Sequence, residues 1–185
     1  IESFTSINAS PLTDLYAREA IRLIGRSLRT AVARGDRRDA RYDMSIGSLY
    51  AGIALANAGV GAVHALAYPL GGQFNVPHGI ANGILLPHIM EFNVPGDIAK
   101  FAEIAGLLGE RVECLSPIES AYLSVKAVKN LLRDVDMPTT LTELNIPRSA
   151  IPEMAAASIN VTRLMGNNPR RMTAKDSEKV YEKAF

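Results

Sequence analysis

An all-α fold, a bundle of about eight helices, is what this sequence predicts. Three observations carry the prediction. Apolar residues recur at spacings of three and four along most of the chain. No segment alternates with a period of two well enough to read as a strand, and no internal repeat appears. Helix-start signals recur ahead of the apolar runs, with proline or glycine behind them.

The elements follow in order. Ser10-Pro11 reads as a capped start, because Ser accepts a backbone N–H and Pro fits the first turn. From there Leu12, Leu15, Ala20, Leu23, Ile24, Leu28 and Val32 form an apolar stripe that ends near Gly35. A second helix spans roughly Arg38 to Asn57. It carries little charge after Asp43, which predicts burial on most sides. A short helix around Val60 to Ala67 holds His64, and Pro69, Gly71 and Gly72 are expected to break it. Pro77 precedes a helix from about Gly79 to Phe92. Pro95-Gly96 breaks again, and Asp97 to Leu108 is helical. Ser116-Pro117-Ile118-Glu119 resembles a capping box and leads a helix to about Val135. After Pro138 come short helices near Thr140 to Leu144 and Ser149 to Ser158. The last begins near Thr173, with Asp176 in its first turn, and runs to the end.

Composition narrows the function. The chain has 185 residues, is 48% hydrophobic and carries a net charge of +1. That suits one domain with a real core and gives no global pull toward nucleic acid or membrane. Arg18, Arg22, Arg26 and Arg29 step along one helical face, but no aromatics interleave with them, so nucleic-acid binding lacks support. A solvated face with i,i+4 charge pairs is the reading preferred over a phosphate or subunit contact. The single cysteine, Cys114, excludes a disulfide framework within the chain and fits a cytoplasmic setting. No apolar run approaches the roughly 18 residues of a membrane span. The chain opens Ile1-Glu2-Ser3-Phe4 with no methionine, which points to processing or to a piece of something longer.

All three histidines, His64, His78 and His88, fall between positions 64 and 88. On one unbroken helix, residues fourteen apart would nearly share a face. The prolines and glycines between His64 and His78 place them on separate helices instead. A stiff turn can then aim both rings at one point. Imidazole pairs suit divalent iron, zinc, cobalt or nickel. A catalytic metal wants three or four protein ligands, and no third is obvious; Glu91 and Asp97 qualify only by being acidic. The alternative is two core histidines bonded to backbone carbonyls. His88, after Pro87, reads as structural. Gly71-Gly72 is no phosphate loop, since no G-x-G-x-x-G follows a strand.

The stretch HALAYPLGGQFNVPHGIANGILLPHIMEFN strongly resembles the signature of the iron-containing alcohol dehydrogenases. SPLTDLYAREAIRLI, YAGIALANAGVGAVHALAYPLG and GNNPRRMT resemble further parts of that family, so the likeness covers essentially the whole chain. The resemblance implies a C-terminal all-helical metal-binding domain over residues 1–185. It implies that an N-terminal NAD(P)-binding α/β domain and a first metal-ligand helix lie outside this chain. It makes His64 and His78 two of four metal ligands, with Fe(II) or zinc as the metal and NAD or NADP as the hydride carrier. The substrate would be a small alcohol or aldehyde, and the protein at least a homodimer. Many members carry a histidine beside the nicotinamide where this chain has Tyr68, a phenol with a pKa near 10 and a poor proton shuttle at neutral pH. Leu55 falls where the family often places a substrate-pocket side chain. The chain by itself is expected to be inactive. Asn168-Pro169-Arg170 reads as a structural turn. A helical module for subunit or partner contacts is the competing class, and within the enzyme class a maleylacetate reductase-like or glycerol dehydrogenase-like relative is the runner-up.

Overall fold

The computed structural model describes residues 1–185 and contains helices and no strand. Ten α-helices follow one another: α1 (Glu2–Thr5), α2 (Pro11–Ala33), α3 (Arg38–Ala58), α4 (Ala62–Phe74), α5 (His78–Asn93), α6 (Ile98–Leu107), α7 (Pro117–Asp134), α8 (Ile151–Ile159), α9 (Thr162–Met165) and α10 (Ala174–Lys183). Single 3₁₀ turns lie at Val94–Gly96 and Arg148–Ala150. The predicted starts are physically made. Capping boxes open α2 at Ser10 and Thr13, α7 at Ser116 and Glu119, and α10 at Thr173 and Asp176. Each satisfies backbone N–H groups that the first helical turn leaves free.

Two apolar cores meet along α5. One gathers α4, α5, α8 and α10 around Leu66, Leu70, Leu85, Met154 and Tyr181. The other gathers α1, α2, α6 and α7 around Phe4, Ile21, Phe101 and Val125, with Met90 of α5 joining it. The Tyr181 hydroxyl donates to the Leu66 carbonyl at 2.7 Å, so the largest buried side chain leaves no polar atom stranded.

Four expectations need correction. The helix holding His64 does not stop at Pro69 but runs through Gly71 and Gly72 to Phe74. Pro69 denies a donor to the carbonyl one turn back. One face of α4 is buried from Ala62 to Leu70, however, and that burial outweighs the lost bond. The actual stop is Asn75, which takes the left-handed conformation at φ 54°. Its N–H donates to Gly71 O, and the Val76 N–H donates to Leu70 O, closing the helix. Second, Thr140 to Leu144 is a turn, not a helix. Its bonds reach only three residues back, and Asn145 at φ 57° ends it. Third, α3 is not buried on most sides. Only Ala40, Gly47, Ala54 and Ala58 are buried, while Tyr42, Leu49 and Leu55 are exposed. Fourth, the α2 stripe is displaced. Leu12, Leu15 and Val32 face outward, and the buried face is Ala17, Ala20, Ile21 and Leu23.

Candidate metal centre

His64 sits inside α4 and His78 is the first residue of α5. The turn between them is only Asn75-Val76-Pro77, tighter than the spacing had suggested. It folds α5 back on α4 and brings the two imidazoles to 5.2 Å between ring centroids, tilted by 57°. Convergence on one point is therefore met, with a different boundary.

Glu2 orients the first ring. Its Oε2 meets His64 Nδ1, and its Oε1 accepts from Gly61 N at 2.9 Å and Val63 N at 2.8 Å. The carboxylate thus clamps the first turn of α4, which has no side-chain cap, and fixes which nitrogen of His64 remains free. The second ring is held by Asn82, one turn along α5. Its amide lies 3.1 Å from His78 Nε2 and donates to the His78 carbonyl at 2.9 Å. Asn82 Oδ1 is buried with no hydrogen-bond partner. Neither Glu2 nor Asn82 was singled out by sequence. A carboxylate sixty-two positions from its histidine leaves no spacing signal.

His88 stands apart, neutral and partly buried. Burial first, then Lys129, push its pKa down to about 4. Tyr68 is 47% exposed and Leu55 45% exposed; Leu55 lines an apolar trough beside His64, and Tyr68 does not. Glu91 pairs with Lys183 at 2.9 Å, and Asp97 caps α6 through Lys100 N, so both acidic candidates are engaged elsewhere. No third His, Cys, Asp or Glu groups with the two histidines. The donors fit a borderline divalent metal in kind, two nitrogen atoms with one ring already oriented by a carboxylate. In number they are half a set.

Surrounding features serve the frame. Asn168 exchanges amide hydrogen bonds with Asn93, both at 2.8 Å, and Arg170 donates to Phe92 O at 2.7 Å, so the Asn168-Pro169-Arg170 turn ties α5 in place. Gly59 holds φ 72°, where an added Cβ would meet Asn167 Nδ2 at 2.6 Å. The arginine face is fully paired: Arg18 with Glu103, Arg22 with Glu19, Arg26 with Asp43 and Arg29 with Asp134. No single helix is long and apolar enough to cross a membrane.

The family model for the C-terminal part of the Fe-containing alcohol dehydrogenases matches residues 1–185. This chain belongs to that family. The long-chain-alcohol dehydrogenase 1 of Geobacillus thermodenitrificans is 43% identical over 185 residues, covering 100% of this chain and 47% of that protein. The NAD-dependent methanol dehydrogenase of Bacillus methanolicus is 33% identical, covering 100% of this chain and 48% of that protein. The crystal structure of 1,3-propanediol oxidoreductase superposes with a TM-score of 0.97 at 39% identity, over 100% of this chain and 48% of that one. The chain therefore spans about half the length of the relatives it matches, as their C-terminal half.

Proposed function

We propose that the chain is the metal-holding domain of an NAD(P)-dependent alcohol dehydrogenase that interconverts a small alcohol and its aldehyde or ketone. The observation that carries this is the convergence of His64 and His78, 5.2 Å apart, in a chain of this family. The two imidazoles would hold one divalent metal, which we take to be Fe(II), with zinc as the alternative. Two further ligands and the nicotinamide site would come from the part of the relatives that precedes the matched region. A bound divalent metal supplies Lewis acidity that eases removal of the hydroxyl proton and polarises the carbonyl in the reverse direction.

The chain's own residues prepare that chemistry. Glu2 holds one His64 nitrogen, leaving the other to bind metal. Asn82 steadies His78 from one turn away. Tyr68 we place near the nicotinamide, lining the site. Leu55 we assign to the substrate pocket wall. The relatives' names span methanol, propanediol and long-chain alcohols, so the substrate class is open within primary alcohols. A cytoplasmic setting fits the free, exposed Cys114.

The test is NAD(P)-dependent oxidation of a primary alcohol by the protein carrying this domain together with its preceding half, loaded with Fe(II) or zinc without oxygen. Activity should fall at least about a thousandfold in His64→Ala and in His78→Ala, with the helical signal unchanged. Activity unaffected by either substitution overturns the assignment.

A further inference from the structure

Four consecutive residues, Asn167 to Arg170, reach three separate parts of the fold. Asn167 donates from Nδ2 to Val60 O at 2.9 Å and accepts at its carbonyl from Ile7 N at 3.0 Å. Arg170 donates to Phe92 O and holds its guanidinium 4.2 Å from the centre of the Phe92 ring. Asn168 lies between them and is buried. It alone of the four bonds to both helices that carry the converging histidines.

The Asn168 amide uses every hydrogen-bonding position it has. Nδ2 donates to Asn93 Oδ1 at 2.8 Å and to Arg170 O at 2.6 Å. Oδ1 accepts from Asn93 Nδ2 at 2.8 Å and from Ala62 N at 3.4 Å. An amide has two donor hydrogens and an oxygen with two lone pairs, so none is left over. Asn93 is buried as well. Moving either partner strands polar groups inside the protein, which makes the link stiff.

Its two ends fall at telling places. Ala62 N belongs to the first turn of α4, two residues before His64. That turn has no side-chain cap of its own, because Gly61 stands at the cap. Its N–H groups are served from far away in sequence: Glu2 takes Gly61 and Val63, and Asn168 takes Ala62. Gly61 also leaves the room for this, since a Cβ there would meet Asn168 Oδ1 at 3.1 Å. Asn93 is the last residue of α5, and His78 is the first. Ala81, Ile84, Leu85 and Ile89 bind α5 into one core and Met90 into the other, so it behaves as a rigid rod. From His78 to Asn93 that rod is about 22 Å long. One end carries His78. The other is tied, through a single amide, to the N–H two residues before His64. The turn Asn75-Val76-Pro77 is the second tie between the two helices. Together they fix how α4 and α5 lie on each other, and with that the gap between the rings.

We propose that Asn168 is a positioning residue for the metal centre: through Ala62 and Asn93 it locks the start of α4 to the end of α5 and so sets the spacing of His64 and His78. The inference rests on reading the two histidines as metal ligands. Asn168 bonds to neither ring. Glu2 orients one imidazole, whereas Asn168 governs the distance between the two. Arg170 differs from it in kind, because its bonds reach α5 and leave α4 free.

The experiment uses the protein carrying this domain together with its preceding half. Zinc affinity is read by competition with a chelator, and Tm is recorded beside it. Asn168→Ala and Asn93→Ala should each weaken zinc binding by about tenfold, and the double variant should lose no more than Asn168→Ala alone. Arg170→Met should lower Tm while leaving affinity within about twofold of the parent. A second measurement needs no metal. In chelator-treated protein, Asn168→Ala should speed hydrogen exchange over residues 61–65 well beyond any change in α7. Should Asn168→Ala fail to fold, Asn93→Ala cuts the same link from the α5 side and carries the same affinity test. Unchanged affinity in the folded variants overturns the proposal. So does an equal loss from Arg170→Met, or a double variant in which the two losses simply add. A parent protein that takes up no zinc sinks the enzyme reading instead. The exchange measurement then decides the lock by itself: selective loss of protection at 61–65 upholds it, and unchanged protection overturns it.

Discussion

At the scale of single residues, Glu2 is the most informative. It makes three contacts at once, with the ring of His64 and with two backbone N–H groups at the start of α4. Glu2→Gln keeps an oxygen for the backbone and loses the charge beside the ring. In a metal-competent form of the protein it should weaken metal binding by about 10- to 100-fold with little change in melting temperature. Titration with a chelator competitor measures this, and unchanged affinity removes Glu2 from the site. His88 gives a second, independent prediction. Its folded pKa of about 4 lies below its ordinary 6.5 because burial disfavours the charged ring. The unfolded chain therefore binds more protons in that window, and stability falls as pH drops from about 6.5 to 4, by up to about 3 kcal/mol. His88→Gln should flatten that slope in urea melts taken across the window. A slope of the same size in the variant assigns the acid sensitivity to other groups, among them Glu91, whose pKa is lowered chiefly by its hydrogen bond to Lys183.

At the scale of elements, local chemistry explains what sequence could show. Ser116 and Glu119 form a capping box, so Ser116→Ala should cost about 1 kcal/mol, read as a shift in urea midpoint at constant m. A neutral result makes the cap redundant with the Pro117 start. Starts such as Ser10, Ser116 and Thr173 were legible because their signals lie within four residues. Stops were less so. Pro69 and Gly71-Gly72 are breakers by propensity, but burial of one α4 face carries the helix through them, and sequence does not print burial. The convergence of His64 and His78 was legible for a related reason, since any break between them puts them on separate helices. The clamp from Glu2 was not, because it is a long-range contact. The outward turn of Leu12, Leu15 and Val32 was also hidden, because a stripe of apolar spacing does not say which of its members find partners.

At the scale of the whole molecule, the unpartnered apolar surface has one direction of explanation. Leu12 and Leu15 of α2 and Tyr42 and Leu49 of α3 are exposed in a chain about half as long as its relatives. Exposed apolar surface of this kind suits contact with another domain or a second subunit. We expect the complete protein to sediment as a dimer or larger, and a monomer at micromolar concentration contradicts that. The all-helical class and the structural role of the Asn168-Pro169-Arg170 turn were readable from the chain; the partners of the arginine face were not, since Arg18, Arg26 and Arg29 pair with Glu103, Asp43 and Asp134 on other helices rather than one turn away. The proposal that His64 and His78 belong to a larger ligand set rests on family resemblance. The central claim is that His64 and His78 are half of a four-ligand site. Metal content measured after anaerobic loading with Fe(II) or zinc tests it, on this chain and on a form extended upstream by the segment that precedes the matched region in the relatives. The account predicts about one metal per chain in the extended form, little in the 185-residue chain, and loss in His78→Ala of the extended form. No metal in the extended form, or equal retention with His78 removed, contradicts it.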